Sequence, residues 1–396
     1  MPLGLYISVP FCRTKCSYCN FASDVFSRSV FDRYVERVCS DLEHAAETAQ
    51  QMGARFEPAV DTVYLGGGTP TVLDISQLER LFVTIWQNFE MRGAAEVTVE
   101  CAPGTLTPVV LEALQRCGVN RVSLGVQSFV DTEAAAVGRL HKRETVLDDI
   151  RRLRVAGIAN INVDLIAGLP HQTQKSWKFN LAEVLACDAP HVSVYMLEVD
   201  EDSRLGREVM AGGTKYHAHF VPDEDLTADL YEAAGERLEA AGVKQYEISN
   251  FARPDCESRH NLKYWTRQPY LGFGVDAHSM LKLENEIEAV RFSTPDSLED
   301  YLAAKPLTRI PVSRQAAMEE MFFLGLRLNA GVDLQEIARQ VGIETLPTCS
   351  DTVVELMSDG LLQREADVIR LTPRGRLLSN EVFARFLATP AKGAPS

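Results

Sequence analysis

The 396-residue chain contains no uninterrupted apolar run approaching the roughly 18 residues of a membrane span, so no transmembrane segment is expected. Its N-terminus, MPLGLYISVPF, has neither a positively charged leader nor a small-residue cleavage site, which argues against a signal peptide. Basic excess is also missing. Forty Lys and Arg face 55 Asp and Glu, a formal charge of -15, whereas a general nucleic-acid binder needs a basic face to neutralise phosphates. The nine cysteines (12, 16, 19, 39, 101, 117, 187, 256 and 349) are odd in number, and outside one short loop no two sit close together, so no disulfide framework is suggested. The glycine-rich stretch at 66–68 is not followed by Gly-Lys-Ser/Thr, which removes a Walker phosphate loop, and no flavin or nicotinamide motif is apparent. These absences leave a globular protein of the reducing cytoplasm, with membrane contact only peripheral or through a partner. At 46% hydrophobic and 24% charged residues, the chain has the make-up of two or three ordinary packed domains.

What is present is led by Cys12-Arg13-Thr14-Lys15-Cys16-Ser17-Tyr18-Cys19, directly after the apolar segment LGLYISVPF. The loop offers three thiolates. A structural zinc site usually closes with four ligands, and so does an ordinary protein-held iron-sulfur cube. A cube on three cysteines leaves one iron free for another ligand. On spacing alone, a zinc knuckle completed by Cys39 or a distant histidine, or a redox pair, stays open beside the cluster, because soft thiolates suit both metals.

Short β-rich runs recur along the first half: LGLYISV (3–9), DTVYLGG (61–67), EVTVEC (96–101), RVSLGVQ (121–127), NINVDLIAG (160–168) and HVSVYML (191–197). Helix-like segments separate them at 30–52, 76–88, 108–117, 144–155 and 174–186. This alternation predicts crossover connections and a parallel sheet, and strands apolar on nearly every residue are expected to be covered on both faces. A full eight-fold barrel uses about 250 residues, yet the pattern changes after the sixth strand. The expected fold is α/β, an open partial (β/α)6 barrel over 1–222 with its reactive face at the carboxyl ends of the strands. An accessory α+β region follows over 223–310, with a helix over 223–241 and a strand VKQYEIS; a helical, winged-helix-like domain spans 311–388, and a disordered tail 389–396. The winged segment mixes Arg364, Arg370, Arg374 and Arg376 with Glu355, Asp359, Glu365 and Asp367, so no basic recognition helix is expected.

Candidate chemistry clusters at the strand ends. Gly66-Gly67-Gly68-Thr69-Pro70 allows close backbone approach to a ligand. Glu100 ends the third strand and could meet a ribose or an amino group, or be a solvated loop acid. Gln127 ends the fourth, Arg139 sits in GRLH, and Asp164 lies inside INVDLIAGLP, where a carboxylate is costly unless partnered. Far downstream, RHNLKYW supplies an imidazole, His260, followed by two aromatic rings, Tyr264 and Trp265; a structural histidine with a Tyr/Trp core pair is the alternative.

The C-x3-C-x2-C loop is similar to the signature of radical S-adenosylmethionine (SAM) enzymes. YISVPFCRTKCSYCNF, YLGGGTPT, ECAPGT, VSLGVQSF, LGRLH, VDLIAGLPHQT, VSVYMLEVDEDSRLG, YEISNFARP and RHNLKYW, in that order, resemble the radical SAM family of oxygen-independent coproporphyrinogen III oxidase-like proteins over about 1–280. Three features resemble its HemW-type haem-chaperone branch. The oxidases continue the motif with a further cysteine two residues on, where this chain has Asn20 and Phe21; they carry an N-terminal extension, where only five residues precede Tyr6 here; and HNLKYW matches the HNxxYW string associated with haem binding.

The resemblance implies a 4Fe-4S cluster on Cys12, Cys16 and Cys19. It places SAM against Tyr6, Tyr18, Gly67, Gly68 and Glu100, with Thr69, Gln127, Arg139 and Asp164 lining a second SAM or substrate space. Haem would be ligated by His260, with His191, His217, His219 and His278 as alternatives. Cys101-Ala102 replaces the Ala-Asn of many relatives. The implied function is haem delivery to an acceptor protein; the rival is radical oxidative decarboxylation of coproporphyrinogen III with an external electron donor, and a zinc-structured interaction protein is the third class.

Overall fold

A computed structural model describes residues 1–342 and 347–387; the tail expected over 389–396 lies outside the described residues. Six strands, β1 (Leu3–Val9), β2 (Ala59–Gly67), β3 (Glu90–Cys101), β4 (Arg121–Gln127), β5 (Asn160–Ala167) and β6 (His191–Met196), pair in parallel in chain order. Helices between them cover the outer face, which is why β1 is apolar on almost every residue and both β1 and β4 are buried throughout most of their length. All six carboxyl ends therefore face the same way.

Six shorter strands widen this sheet on both sides: β7 (Lys244–Gln245), β8 (Asn250–Ala252), β9 (Tyr270–Phe273), β10 (His278–Lys282), β11 (Ala289–Ser293) and β12 (Thr308–Val312). The order β12-β11-β10-β9-β1-β2-β3-β4-β5-β6-β8-β7 leaves β12 and β7 as edges, so the sheet is open. Pro311 on β12 lacks the donor that another strand would need. The accessory α+β region is thus built onto the barrel's own sheet, with Phe251, Leu271, Phe273, Leu281 and Val290 in the same core as Leu5 and Ile7.

The structure departs from sequence expectation in three local places. The helix expected over 30–52 breaks at His44 into Phe31–Glu43 and Ala45–Gln51. VKQYEIS pairs as a strand only over Lys244–Gln245, because Ile248 N instead donates to Arg327 O (3.1 Å) and Asn329 N to Tyr246 O (3.0 Å). RHNLKYW, read within a loop-rich stretch, is a short helix, Arg259–Trp265, whose first backbone amides donate to the buried carboxylate of Glu96.

Beyond the helix Arg314–Gly325 come β13 (Val332–Asp333), the helices Leu334–Val341 and Pro347–Ser358, and the hairpin β14 (Leu362–Glu365) and β15 (Val368–Leu371). The strand order β13-β15-β14 makes a small wing over its own core, including Phe322, Leu326, Leu356, Ile369 and Phe383, into which Ile248 inserts from the barrel side. A buried ionic triad ties the two parts. Glu320 on the helix Arg314–Gly325 accepts from Arg267 (2.6 Å) and from Arg291 on β11 (2.7 Å). Removing the shared carboxylate strands two guanidinium groups in a poorly hydrated joint. Glu320→Ala is expected to lower unfolding stability by about 3–5 kcal/mol, measured by denaturant titration; a loss under about 1 kcal/mol would show that the joint is hydrated or dispensable.

Candidate cluster and cofactor site

The parallel register sets Val9 at the end of β1 beside Gly67 at the end of β2, so the cysteine loop and the glycine loop leave the sheet at one level. Backbone bonds then strap the cysteine loop down: Cys12 N to Asp24 O (3.0 Å), Ser17 N to Val137 O (3.2 Å) and Leu205 N to Ser17 O (2.8 Å). Cys12, Cys16 and Cys19 are free thiols that all line one cavity of about 520 Å³. The Thr69 hydroxyl donates to Cys12 Sγ (3.9 Å), and the Ser23 hydroxyl lies 4.0 Å from Cys19 Sγ.

Burial pushes the Cys12 thiol above its ordinary pKa, opposed by the Ser23 and Thr69 hydroxyls, so a bound cation is what would hold the thiolates deprotonated there. Among the described residues, no three His, Cys, Asp or Glu side chains converge on the geometry of a single ion. Cys39 is buried in the helix Phe31–Glu43 against the helix Ile75–Asn88, with Thr84 beside its thiol, away from the loop. Cys39 is therefore not placed to complete a zinc knuckle with the three loop cysteines.

Next to the thiols, Gly67 takes φ 96°, a left-handed conformation, and a side chain on Gly66 would bring its Cβ within 2.8 Å of the Glu100 carboxyl carbon. Glycine there lets the loop lie against the carboxylate. Glu100 Oε1 accepts from Tyr64 OH (2.8 Å). Burial raises the Glu100 carboxyl to about 7 despite that bond, and the nearby Asp164 pushes the same way. Asp164 has the partners its apolar strand demands: Ser123 Oγ (3.1 Å) and Asn162 Nδ2 (2.7 Å). Asn162 Oδ1 in turn meets His191 Nδ1 (2.6 Å), which makes His191 part of this internal network.

Arg139 Nη2 donates to Tyr18 OH (3.0 Å), while Arg139 Nε and Gln127 Oε1 are buried without a hydrogen-bond partner. Gln127 also takes φ 67°, unusual outside glycine. Both residues line the cavity. Orphaned polar atoms around a glycine cradle are what a bound polar cofactor would satisfy, so the residues present fit SAM beside a cluster.

Of the residues singled out from sequence, Cys12, Cys16, Cys19, Tyr18, Gly67, Gly68, Thr69, Glu100, Gln127, Arg139 and Asp164 line this one cavity. Tyr6 and His260 do not. Tyr6 stands behind Gly67, its ring centroid 6.2 Å from Tyr64 and 6.4 Å from His260. His260 is buried, with Nδ1 2.9 Å from Thr62 Oγ1 and Nε2 2.8 Å from Tyr264 OH, and its ring stacks on Tyr64. Burial, with Lys263 beside it, lowers its pKa to about 3, so the imidazole is neutral and engaged at both nitrogens. Iron ligation at His260 is therefore closed in this arrangement; the HNxxYW pattern shows an imidazole and two rings but not which way the helix turns them. Sequence reasoning also passed over Tyr64, the partner of Glu100, whose place two residues before the glycine run was the available signal.

The Glu100 carboxyl sets a pH dependence. Its folded pKa of about 7 lies above the ordinary 4.5, so between those values the folded state holds more proton than the unfolded, and stability falls as pH rises through that window. Glu100→Gln is expected to raise the melting temperature at pH 8 and to lose that advantage near pH 5. Equal shifts at both pH values would exclude the raised carboxyl as the source.

Residues 6–180 match the Radical SAM superfamily model, and residues 312–378 match the HemN C-terminal domain. The chain is 33% identical over 391 residues to heme chaperone HemW of Lactococcus lactis, covering 98% of this chain and 97% of that protein. It is 34% identical over 387 residues to heme chaperone HemW of Bacillus subtilis, covering 96% and 98%. Among solved structures, coproporphyrinogen III oxidase (HemN) from Escherichia coli, a radical SAM enzyme, superposes with a TM-score of 0.82 at 25% identity, covering 97% of this chain and 90% of that one. With the three-cysteine loop, the glycine cradle and the wing all in place, the chain belongs to the HemW family of radical SAM proteins.

Proposed function

We propose that this protein is a haem chaperone that carries a 4Fe-4S cluster and SAM in its barrel and passes haem to acceptor proteins. Cys12, Cys16 and Cys19 would hold the cluster, which with only three protein thiolates would have coordination left for SAM. Gly67, Gly68 and Glu100 would receive the methionyl end, with Tyr6 backing the glycine loop and Tyr18 held by Arg139. Thr69, Gln127, Arg139 and Asp164 would line the space beyond. The near full-length likeness to heme chaperones carries this reading.

Phe21 supports it locally. It stands where the oxidase motif continues with a further cysteine, 63% exposed on the cavity rim, while Asn20 donates to Asp200 (2.9 Å). An exposed ring at the mouth suits a flat macrocycle and offers no metal ligand. The oxidase reading rests on the structural likeness to HemN, with an external electron donor then required. Anaerobic reconstitution followed by a coproporphyrinogen decarboxylation assay separates the two: haem binding without turnover is expected, and robust decarboxylation would falsify the chaperone assignment. Cys→Ala changes at 12, 16 and 19 are each expected to abolish the iron and the SAM-perturbed electron paramagnetic resonance signal; stoichiometric zinc in their parent would remove the cluster.

Haem ligation by His260 is assigned to an open form in which the imidazole has released Thr62 and Tyr264. Tyr264→Phe removes one of those bonds while keeping the ligand, and is expected to speed haem uptake several-fold. His260→Ala is expected to weaken haem binding and, because Tyr264 and Thr62 lose a buried partner, to cost about 1–3 kcal/mol of stability. Unchanged affinity in a haem titration of His260→Ala would remove it as ligand.

A further inference from the structure

The same cavity has a second wall, made by the C-terminal part of the chain, and one cation on it makes no ion pair among the described residues. Arg327 sits in the turn after the helix Arg314–Gly325, its backbone fixed where Ile248 N donates to Arg327 O (3.1 Å). Its guanidinium carbon lies 4.3 Å from the ring centroid of Trp265 and 5.7 Å from that of Phe383. Arg327 lines the cavity beside Ser379 and Asn380. Among the described residues its side chain makes no hydrogen bond or ion pair, and its Nε is buried without a partner.

Two fully buried arginines elsewhere in this chain are satisfied, Arg121 by Asn160 and Cys256 O and Arg267 by Glu320, whereas Arg139 across the cavity keeps an orphaned Nε but donates to Tyr18 OH; among the described residues Arg327 has not even that bond. Burial lowers the Arg327 pKa, with Glu247 and Glu198 nearby acting against it. Glu247 does not fill the vacancy: one carboxylate oxygen takes the Asn250 amide, and the other is itself buried without a partner. A planar donor fork held on aromatic faces and aimed into a cavity is costly to leave empty and is shaped for a carboxylate.

We infer that Arg327 is a carboxylate-binding subsite on the C-terminal wall of the cavity, occupied by a propionate of the tetrapyrrole. This rests on the haem reading above. Trp265 closes the helix that carries His260, so the same helix supports the guanidinium and buries the imidazole. Release of that helix frees His260 and re-aims Arg327 together. The SAM carboxylate is the other source of the same chemistry.

The test uses full-length, cluster-reconstituted protein with haem and with haem dimethyl ester as probes, and SAM binding read from the electron paramagnetic resonance signal. Arg327→Met is expected to weaken haem binding about 10- to 100-fold, to leave the dimethyl ester within about 2-fold, and to leave SAM binding unchanged, with Arg327→Lys recovering part of the loss. Equal loss for acid and ester, or no loss for either, overturns the subsite. Loss of SAM binding alone overturns the propionate assignment in favour of the SAM carboxylate. Wild-type protein that binds neither porphyrin overturns the haem reading itself. Arg327→Lys, which keeps the charge and the aromatic contact, serves if the Met variant fails to fold.

Discussion

The pairing of Val9 with Gly67 is the constraint on which the rest of this molecule depends. Parallel strands with helical crossovers must all end on the same side, and this register puts the exits of the first two strands level. The cysteines and the glycines thereby meet without any contact specific to a ligand. A slip of one residue would turn β1 inside out, moving Leu5 and Ile7 out of the core and the thiols away from Gly68. The site is therefore held by the same apolar burial that holds the sheet.

That economy forces polar chemistry into an apolar barrel. Glu100 and Asp164 are withdrawn from water, and each needs donors: Tyr64 for one, Ser123 and Asn162 for the other. Below them the helix Arg259–Trp265 closes the barrel with His260, whose neutral ring joins Thr62, Tyr64 and Tyr264. Lys263 from the same helix pairs with Asp61 at 2.7 Å and reaches Pro2 O at 2.9 Å. This floor is polar but largely satisfied, while the cavity above it keeps Gln127 Oε1 and Arg139 Nε open. Those two atoms, with Arg327 Nε on the facing wall, are orphaned groups that a ligand in the cavity would meet.

Much of this was legible in the sequence because it is local. The six parallel strands announce themselves as short apolar runs, and the residues that end them are those that line the cavity. Asp164 was readable as needing partners because a lone carboxylate in an apolar strand has no other stable solution. What escaped was non-local. Nothing in Lys244–Val312 says that its strands add to both edges of the barrel sheet, since pairing partners lie far away in sequence. His260 was visible as chemistry but not as geometry: a seven-residue helix gives no periodicity long enough to fix its buried face. Arg327, in GLRLNAG, has no motif, and its meaning comes only from what fails to contact it.

The two walls of the cavity are not independent. Ile248 belongs to the small core of the C-terminal part, and its backbone amide is taken by Arg327, so the wing is fastened to the strand edge beside β6. The Glu320 triad fastens the same unit to β11, on the opposite side of the sheet order. Between these two attachments runs the helix Arg259–Trp265, touching the barrel floor through His260 and the wing through Trp265. A helix this short draws little stability from its own hydrogen bonds, so its position is set by those flanking contacts. The helix meets both surfaces at once, so the sum of those contacts, and not its own hydrogen bonds, sets where it sits. On the carboxylate-subsite proposal, a ligand engaging the Arg327 guanidinium would act on the helix that buries His260, and through that shared helix the contents of the cavity would reach the imidazole.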